Sequence, residues 1–272
     1  MNCNFKSAFF PLFLFITGSL FGQADALRRE AVELLKKGEP AKAMAKAEEA
    51  VKTDPSNGES WMVKGLADME LKNVSAALID FHKADSLKFS SAELHLNHGI
   101  AFNFSGKYKE SIQELDKAIK LDDKDFRIYY NRALSYMEYG NDDQAMKDLN
   151  SSIDLNPKFA EAYLTRAEMS FEEENFKFCI MDCNKTIALD STFADAYYFR
   201  AVARGGVEKD KEAINDFNKA IALDPDHDEA LNYRGSAKYL SGNRKGACAD
   251  WKKAMTLGND EAEGNYNSYC ID

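Results

Sequence analysis

Apolar residues recur along this chain at the spacing of helix faces. Tyr129, Ala133 and Tyr136 stand at i, i+4 and i+7, and Ala145, Leu149 and Ser152, with Ile153 beside them, continue the pattern after a short break. Such stripes predict amphipathic helices that bury one face. Gly106-Lys107, Gly140-Asn141 and Gly242-Asn243 mark turns within helical pairs, and Asn156-Pro157 and Asp224-Pro225 mark turns between pairs. Prolines number only five, so little interrupts the helices.

The stripes repeat at a fixed interval of 34 residues. One column of small residues holds Ala31, Gly65, Gly99, Ala133, Ala167, Ala201 and Gly235. A second holds Ala43, Ala77, Ser111, Ala145, Cys179, Ala213 and Ala247, and a third Ala50, Ala84, Ala118, Ser152, Thr186, Ala220 and Ala254. Between these two lies a mostly large column of Ala47, Phe81, Leu115, Leu149, Cys183, Phe217 and Trp251. The period and columns resemble the tetratricopeptide repeat. Its tryptophan position holds Trp61, Tyr129, Tyr163 and Tyr197, and its terminal proline position holds Pro55, Pro157 and Pro225. Phe89, Asp123, Ser191 and Asn259 depart from that proline in the other copies.

The resemblance implies an all-α, right-handed solenoid of seven helix-turn-helix repeats at 24–57, 58–91, 92–125, 126–159, 160–193, 194–227 and 228–261, with residues 262–272 as a C-terminal capping helix. It also implies that first helices line a concave groove for a peptide. The matching groove residues are Met62, Leu96, Asn97, Asn103, Tyr130, Asn131, Met137, Leu164, Phe171, Tyr198 and Tyr239. Glu168 falls in a neighbouring row, and Glu59, Glu93, Glu161, Asp195 and Glu229 flank the rows. A partner that is part apolar and neutral to basic would complement this surface. Some relatives clamp a C-terminal carboxylate with lysines and asparagines. Here Met62, Leu66 and Asn97 occupy the matching positions, without the clamp lysines, and Arg28 and Arg29 neighbour Val32, so that clamp is not expected.

Charge narrows the partners further. The net charge is −10, which disfavours nucleic acid and anionic membrane surfaces. Basic Lys64, Arg132, Arg166, Arg200 and Arg234 precede the first small column, and acidic Asp80, Glu114, Asp148, Asp182, Asp216 and Asp250 precede the large one. These are expected to form structural pairs across facing helices, since a guanidinium holds a carboxylate with two bonds.

Lys6, the apolar stretch Ala8–Phe21 and the small residues around Ala24 and Ala26 have the layout of a signal peptide, assigned to residues 1–22. At about 14 residues, the apolar stretch is shorter than the roughly 20 that span a bilayer. Export to the periplasm or cell envelope of a gram-negative bacterium, or secretion, is therefore expected, without membrane insertion after cleavage. Four cysteines follow the leader. Cys248 and Cys270 are candidates for a disulfide tying down the C-terminus, and Cys179 and Cys183 read as core residues.

No nucleotide loop, hydrolase elbow or zinc-protease motif occurs, and His95 and His98 lack a further ligand. The sequence thus points to a non-catalytic scaffold without cofactor or metal. Its partner is a protein or peptide, and a self-assembling homo-oligomeric envelope subunit is the alternative.

Overall fold

The computed structural model describes residues 12–207 and 210–271. Residues 1–11 of the expected leader lie outside the described residues. The chain divides into two compact units, residues 1–141 and 142–272.

The first unit contains α1 (Leu12–Lys36), α2 (Pro40–Thr53), α3 (Gly58–Glu70), α4 (Val74–Ser86), α5 (Ala92–Phe104), α6 (Tyr108–Leu121) and α7 (Phe126–Tyr139). The second contains α8 (Asp142–Leu155), α9 (Ala160–Glu172), α10 (Phe176–Leu189), α11 (Ala194–Gly205), α12 (Asp210–Leu223), α13 (Asp228–Leu240), α14 (Arg244–Thr256) and α15 (Asp260–Tyr269). Among the described residues there is no strand. Within each unit, consecutive helices pack as pairs and each pair packs on the next. This is the all-α helical repeat solenoid that the 34-residue columns imply. Stacking is obligatory, because one pair leaves its apolar stripe uncovered.

The small columns explain the close packing inside pairs. Ala31, Ala77, Ala118, Ala201 and Ala254 are fully buried. Gly65 is opposite Phe81, whose ring carbon would lie 2.6 Å from an added Cβ. Gly99 stands likewise against Leu115, and Gly235 against Trp251. Glycine occupies the small column at these three positions, where the residue sixteen places on is large.

Turn chemistry also repeats. Gly38, Gly106, Gly140 and Gly242 take positive φ at the turn inside a pair, as do Lys72 and Glu174 at the equivalent places. Asn57, Ser91, Asn243 and Asn259 cap helices by accepting a backbone N–H into the side chain.

At the C-terminus α15 packs on α14. Ala262 is fully buried there beside Trp251 and Ala254, with Tyr266 and Cys270 packed against them. A disulfide joins Cys248 to Cys270, with Cα atoms 5.7 Å apart. Arg244 donates to the Tyr269 carbonyl at 2.7 Å, a second tie between the two helices. Cys179 and Cys183 are buried free thiols packed with Ala167 and Ala203. At the other end, Ala24 and Ala31 of α1 are buried, so this part of the helix packs as the first member of a pair. Among the described residues, no helix is long and apolar enough to cross a membrane.

Candidate peptide-binding face

The charged columns first have to be separated from any binding role. Arg166 donates to both Asp182 oxygens, at 2.7 and 2.8 Å. Arg200 grips Asp216 and Arg234 grips Asp250 in the same forked way. Lys64 reaches Asp80 at 2.6 Å. These acids are buried and the bases mostly so. The pairs therefore hold facing helices together and leave no stripe of free arginine for an anion.

The same arginines also reach backwards. The remaining Nη1 of Arg166, Arg200 and Arg234 donates to Asn150, Asn184 and Asn218, each sixteen residues earlier. Each guanidinium thus binds the acid of its own pair and the asparagine of the preceding one. Tyr163 and Tyr197 lie under Arg166 and Arg200, with guanidinium carbons 5.6 and 5.4 Å from the ring centroids. The asparagine column was legible at 34-residue spacing, but sequence reasoning passed over it.

The third repeat departs from this scheme. His98 occupies the basic position, and the acid opposite is Glu114, which takes hydrogen bonds from His95 Nδ1 and Lys117, both at 2.8 Å. Burial alone would raise the Glu114 pKa, but His95, Lys117 and the nearby His98 outweigh it and hold it at about 2. Burial pushes His98 down to about 4. The histidine pair is accounted for by this buried carboxylate. Among the described residues no cluster of metal-ligating side chains occurs.

The expected groove residues divide by environment. In the first unit, Met62 and Leu96 are buried, at 9% and 2% exposure. This corrects their assignment as open groove surface. Met62 packs in the core formed by α1 to α5 and touches Ser91 at the start of α5, while Leu96 packs with Leu115, Ala118 and Ile128. In both cases the next pair covers the side chain. Asn97 bonds back to Glu93, and Asn131 to the Arg127 carbonyl. Asn103 donates to Ser135, which shares a hydrogen bond with Ser111. Tyr130 and Met137 are half-buried. Arg28 is held by Asp25 and Glu59, so it supplies no carboxylate clamp.

The second unit carries the more open site. Leu164 on α9 and Tyr198 on α11 line a cavity of about 260 Å³ together with Glu168, Asp195, Phe199, His227 and Glu229. Phe171 supports it from behind, with its ring 5.5 Å from that of Phe199. Tyr239 lies elsewhere, against Trp251 and Tyr269, where it helps seat α15. The cavity is therefore built from first helices of successive pairs, α9, α11 and α13. Tyr198 is fixed by Phe199, Phe217, Tyr233 and His227, all with centroids within 6.4 Å.

His227 is the residue that sequence reasoning missed. It is the N-cap of α13, with Nδ1 accepting the Ala230 N–H at 3.4 Å. Its Nε2 is buried and makes no hydrogen bond, although Asp195 Oδ1 stands 3.4 Å away, within ion-pair range. Glu229 lies 3.3 Å from Nδ1. Burial would lower the His227 pKa, but Asp195 and the charges of Glu229 and Asp224 outweigh burial and raise it. His227 in turn holds the Asp195 carboxyl below its usual range. Glu168 is raised, by burial first and then by Glu172 and Asp195, which are both like charges.

Comparisons with known proteins agree with this architecture. A family model described as "TPR repeat" matches residues 99–140, and two described as "Tetratricopeptide repeat" match residues 28–86 and residues 126–159 with 194–227. Among curated proteins none matches. The fold is similar to a tetratricopeptide repeat protein from Parabacteroides merdae (TM-score 0.64, 18% identity, 92% of this chain and 100% of that one). It is also similar to a chain of the APC/C hetero-tetramer Cut9–Hcn1 (TM-score 0.73, 15% identity, 89% of this chain), of which it spans only 48%. A third is YrrB, described as a TPR protein with an unusual peptide-binding site (TM-score 0.57, 20% identity, 69% of this chain and 97% of that one). With the 34-residue columns, the paired helices and three matching family models in agreement, this chain belongs to the tetratricopeptide repeat family.

Proposed function

We propose that this chain is an exported, non-catalytic scaffold that binds a peptide or protein segment along its first-helix faces, in the periplasm or at the cell envelope. The family as such is a protein-interaction scaffold, and the likeness to solved structures supports the fold. The observation that carries the reading is the open cavity in the second unit, where Leu164 and Tyr198 stand half-buried although the surrounding core is complete. Rigid aromatic and apolar side chains beside a concavity are typical binding anchors. YrrB, with its peptide-binding site, is a structural precedent for such use of the fold. The leader-like N-terminus supports export, and so does the Cys248–Cys270 disulfide, which an oxidising compartment permits.

The test is crosslinking capture from cell envelope with the mature chain and with a Leu164→Ala/Tyr198→Ala variant of unchanged helicity. Capture by the wild type alone supports binding at this face. Equal capture by both overturns it. Separate Tyr130→Ala capture asks the same of the first unit.

A second reading, a self-assembling subunit, draws on Phe178 and Met181 of α10, which are 56% and 50% exposed beside a cavity of about 290 Å³. A molar mass that rises with concentration and falls back on Phe178→Ser would favour it.

A further inference from the structure

We propose that Ser90 is an activated nucleophile that takes one acyl group from an activated ester, with His95 as the base that receives its proton and Glu114 as the residue that positions the imidazole. The site is built within the first unit, from α5, α6 and the turn that precedes α5.

Ser90 is exposed. Its Oγ lies 2.9 Å from His95 Nε2, and His95 Nδ1 lies 2.8 Å from Glu114 Oε2. The direction of both bonds follows from the acid. Glu114 also takes the Lys117 ammonium at 2.8 Å and is held at about 2, so at neutral pH it is a carboxylate and can only accept. His95 Nδ1 therefore carries the proton, Nε2 of the neutral ring is the acceptor, and the Ser90 hydroxyl donates to it. The ring is fixed in place, since the His95 side chain is only 3% exposed. A nucleophile bonded to a base that a third group orients is the arrangement that activates a serine.

The equivalent residues of other repeats show what packing alone asks of these positions. His95 occupies the tryptophan column, 34 residues after Trp61 and 34 before Tyr129. Trp61 Nε1 donates to the Pro55 carbonyl and the Tyr129 hydroxyl to the Asp123 carbonyl, each six residues earlier. Both side chains are donors that close the turn onto backbone. His95 puts a basic nitrogen there instead, facing a hydroxyl. The acid column is redirected as well. Asp182, Asp216 and Asp250 bind the base sixteen residues before them. Glu114 has His98 at that place, 3.7 Å away, and makes its short bonds to His95 and Lys117. Stacking the helices needs neither departure, and together they align Ser90, His95 and Glu114.

The local backbone suits the charge that such a reaction develops. Ser91 is the N-cap of the 13-residue α5, so Ser90 adjoins the positive end of that helix. The Ala92 and Glu93 N–H groups, in the first turn, have no acceptor within the helix. Glu93, the acid of this turn, is held by Asn97 and Arg127. A carbonyl oxygen turning negative here is favoured by the helix end. Ser90 Oγ forms a bond to the acyl carbon of an aryl ester or thioester while its proton passes to His95 Nε2. The bond from that carbon to the leaving oxygen or sulfur then breaks, and the leaving group takes the proton from the imidazole. One acyl group per chain is the expected stoichiometry, so the scaffold reading stands unchanged.

The test treats the intact mature chain with 4-nitrophenyl acetate, and separately with a fluorophosphonate, and maps the adducts by peptide mass spectrometry. Ser90 should be modified about a hundredfold faster or more than Ser86, an exposed serine of α4 whose hydroxyl donates to the Lys83 carbonyl. Nitrogen-15 NMR at pH 8 should find the His95 proton on Nδ1. Glu114→Gln should weaken that tautomer preference and slow the modification together. His95→Gln should bring Ser90 down to the rate of Ser86 while helicity is kept. Ser90→Cys, a change at an exposed position, serves if the buried variants fail to fold. Its thiol should react with iodoacetamide at pH 6 about tenfold faster or more than N-acetyl-cysteine amide, because the imidazole stabilises the thiolate. Equal rates at Ser90 and Ser86 in the wild type, a His95 proton on Nε2, or an ordinary thiol at position 90 would each overturn the assignment.

Discussion

Arg200 joins two repeats at once: its Nη1 donates to Asn184 at 2.7 Å while its Nε and Nη2 hold Asp216. The acid lies sixteen residues ahead and the asparagine sixteen behind, so one planar side chain closes both the contact within a pair and the contact to the preceding pair. Stability in a repeat array is roughly a sum of such neighbour terms. Arg200→Ala should therefore act beyond its own pair. It removes the forked partner of the buried Asp216, and the expected loss is about 2 kcal/mol, below the cost of leaving a buried acid without any partner. Arg204 still reaches Asp216 and caps that loss. Arg200→Lys should cost less but more than 1 kcal/mol or so, since an ammonium cannot fork. Asn184→Ala should cost about 1 kcal/mol. Urea midpoints check that the loss is largest for Arg200→Ala, smaller for Arg200→Lys and smallest for Asn184→Ala.

Glu174 occupies the left-handed turn position, at φ 55°, that Gly38, Gly106, Gly140 and Gly242 fill elsewhere. A side chain there costs roughly 1–2 kcal/mol, part of which glycine gives back as unfolded-state entropy. Glu174→Gly should therefore stabilise the second unit by about 0.5–1 kcal/mol, and Lys72→Gly the first by a similar amount. A fall in thermal midpoint in either variant would contradict this.

How far the sequence carried the fold can be judged at particular columns. The 34-residue period placed the helical pairs because packing physics is local and repeats itself: Gly65 against Phe81 and Gly235 against Trp251 are read as small beside large. The carboxylate forks were legible for the same reason. The groove was less so. Met62 and Leu96 share a row with Leu164 and Tyr198, yet the first two are covered and the others border a cavity. Periodicity gives a residue its face on the helix. It does not tell how completely the next pair covers that face. His227 escaped notice because it belongs to a turn column, and its role arises from Asp195, 32 residues earlier.

The Cys248–Cys270 bond should set how the C-terminus frays. It closes a loop with a sequence separation of 22, for which the chain-entropy argument gives about 3 kcal/mol. Without it, α15 depends on Ala262, Tyr266 and a few polar contacts such as Asn232 with Glu261. Cys270→Ser is expected to lower the thermal midpoint. It should also raise amide exchange in α15 while leaving exchange in α9 and α10 unchanged. Uniform loss of protection across the second unit would instead show that α15 is needed for the whole stack.

Two buried groups in the first unit respond to acid in opposite directions. His98, 5% exposed in its side chain, has its pKa pushed down to about 4 by burial, from 6.5 when unfolded. The unfolded chain therefore takes up this proton first, and acidification from 6.5 to 4 costs folding on the order of 3 kcal/mol. Asp80, 3% exposed, has its pKa pushed up to about 6 by burial, with Asp68 adding to the rise and Lys64 opposing it, from 3.8 when unfolded. Here the folded chain takes up the proton first, so acidification from 6 to 3.8 favours folding by a similar amount. Glu114, held at about 2, adds its loss only below its unfolded value of 4.5. Between pH 6 and 4.5 the two opposed contributions largely cancel, and the first unit should show little change in stability. His98→Phe, which keeps the stacking against Phe102, removes one side of the balance, so that variant should gain stability as pH falls through this window. Asp80→Asn removes the other side and should lose stability steadily, in addition to a pH-independent cost from exchanging the charged partner of Lys64 for a neutral one, with Asp68 3.7 Å away as its remaining acid. Urea denaturation at pH 7, 5.5 and 4.5 separates the slopes. Parallel slopes in the wild type and both variants would mean that neither group governs the acid response.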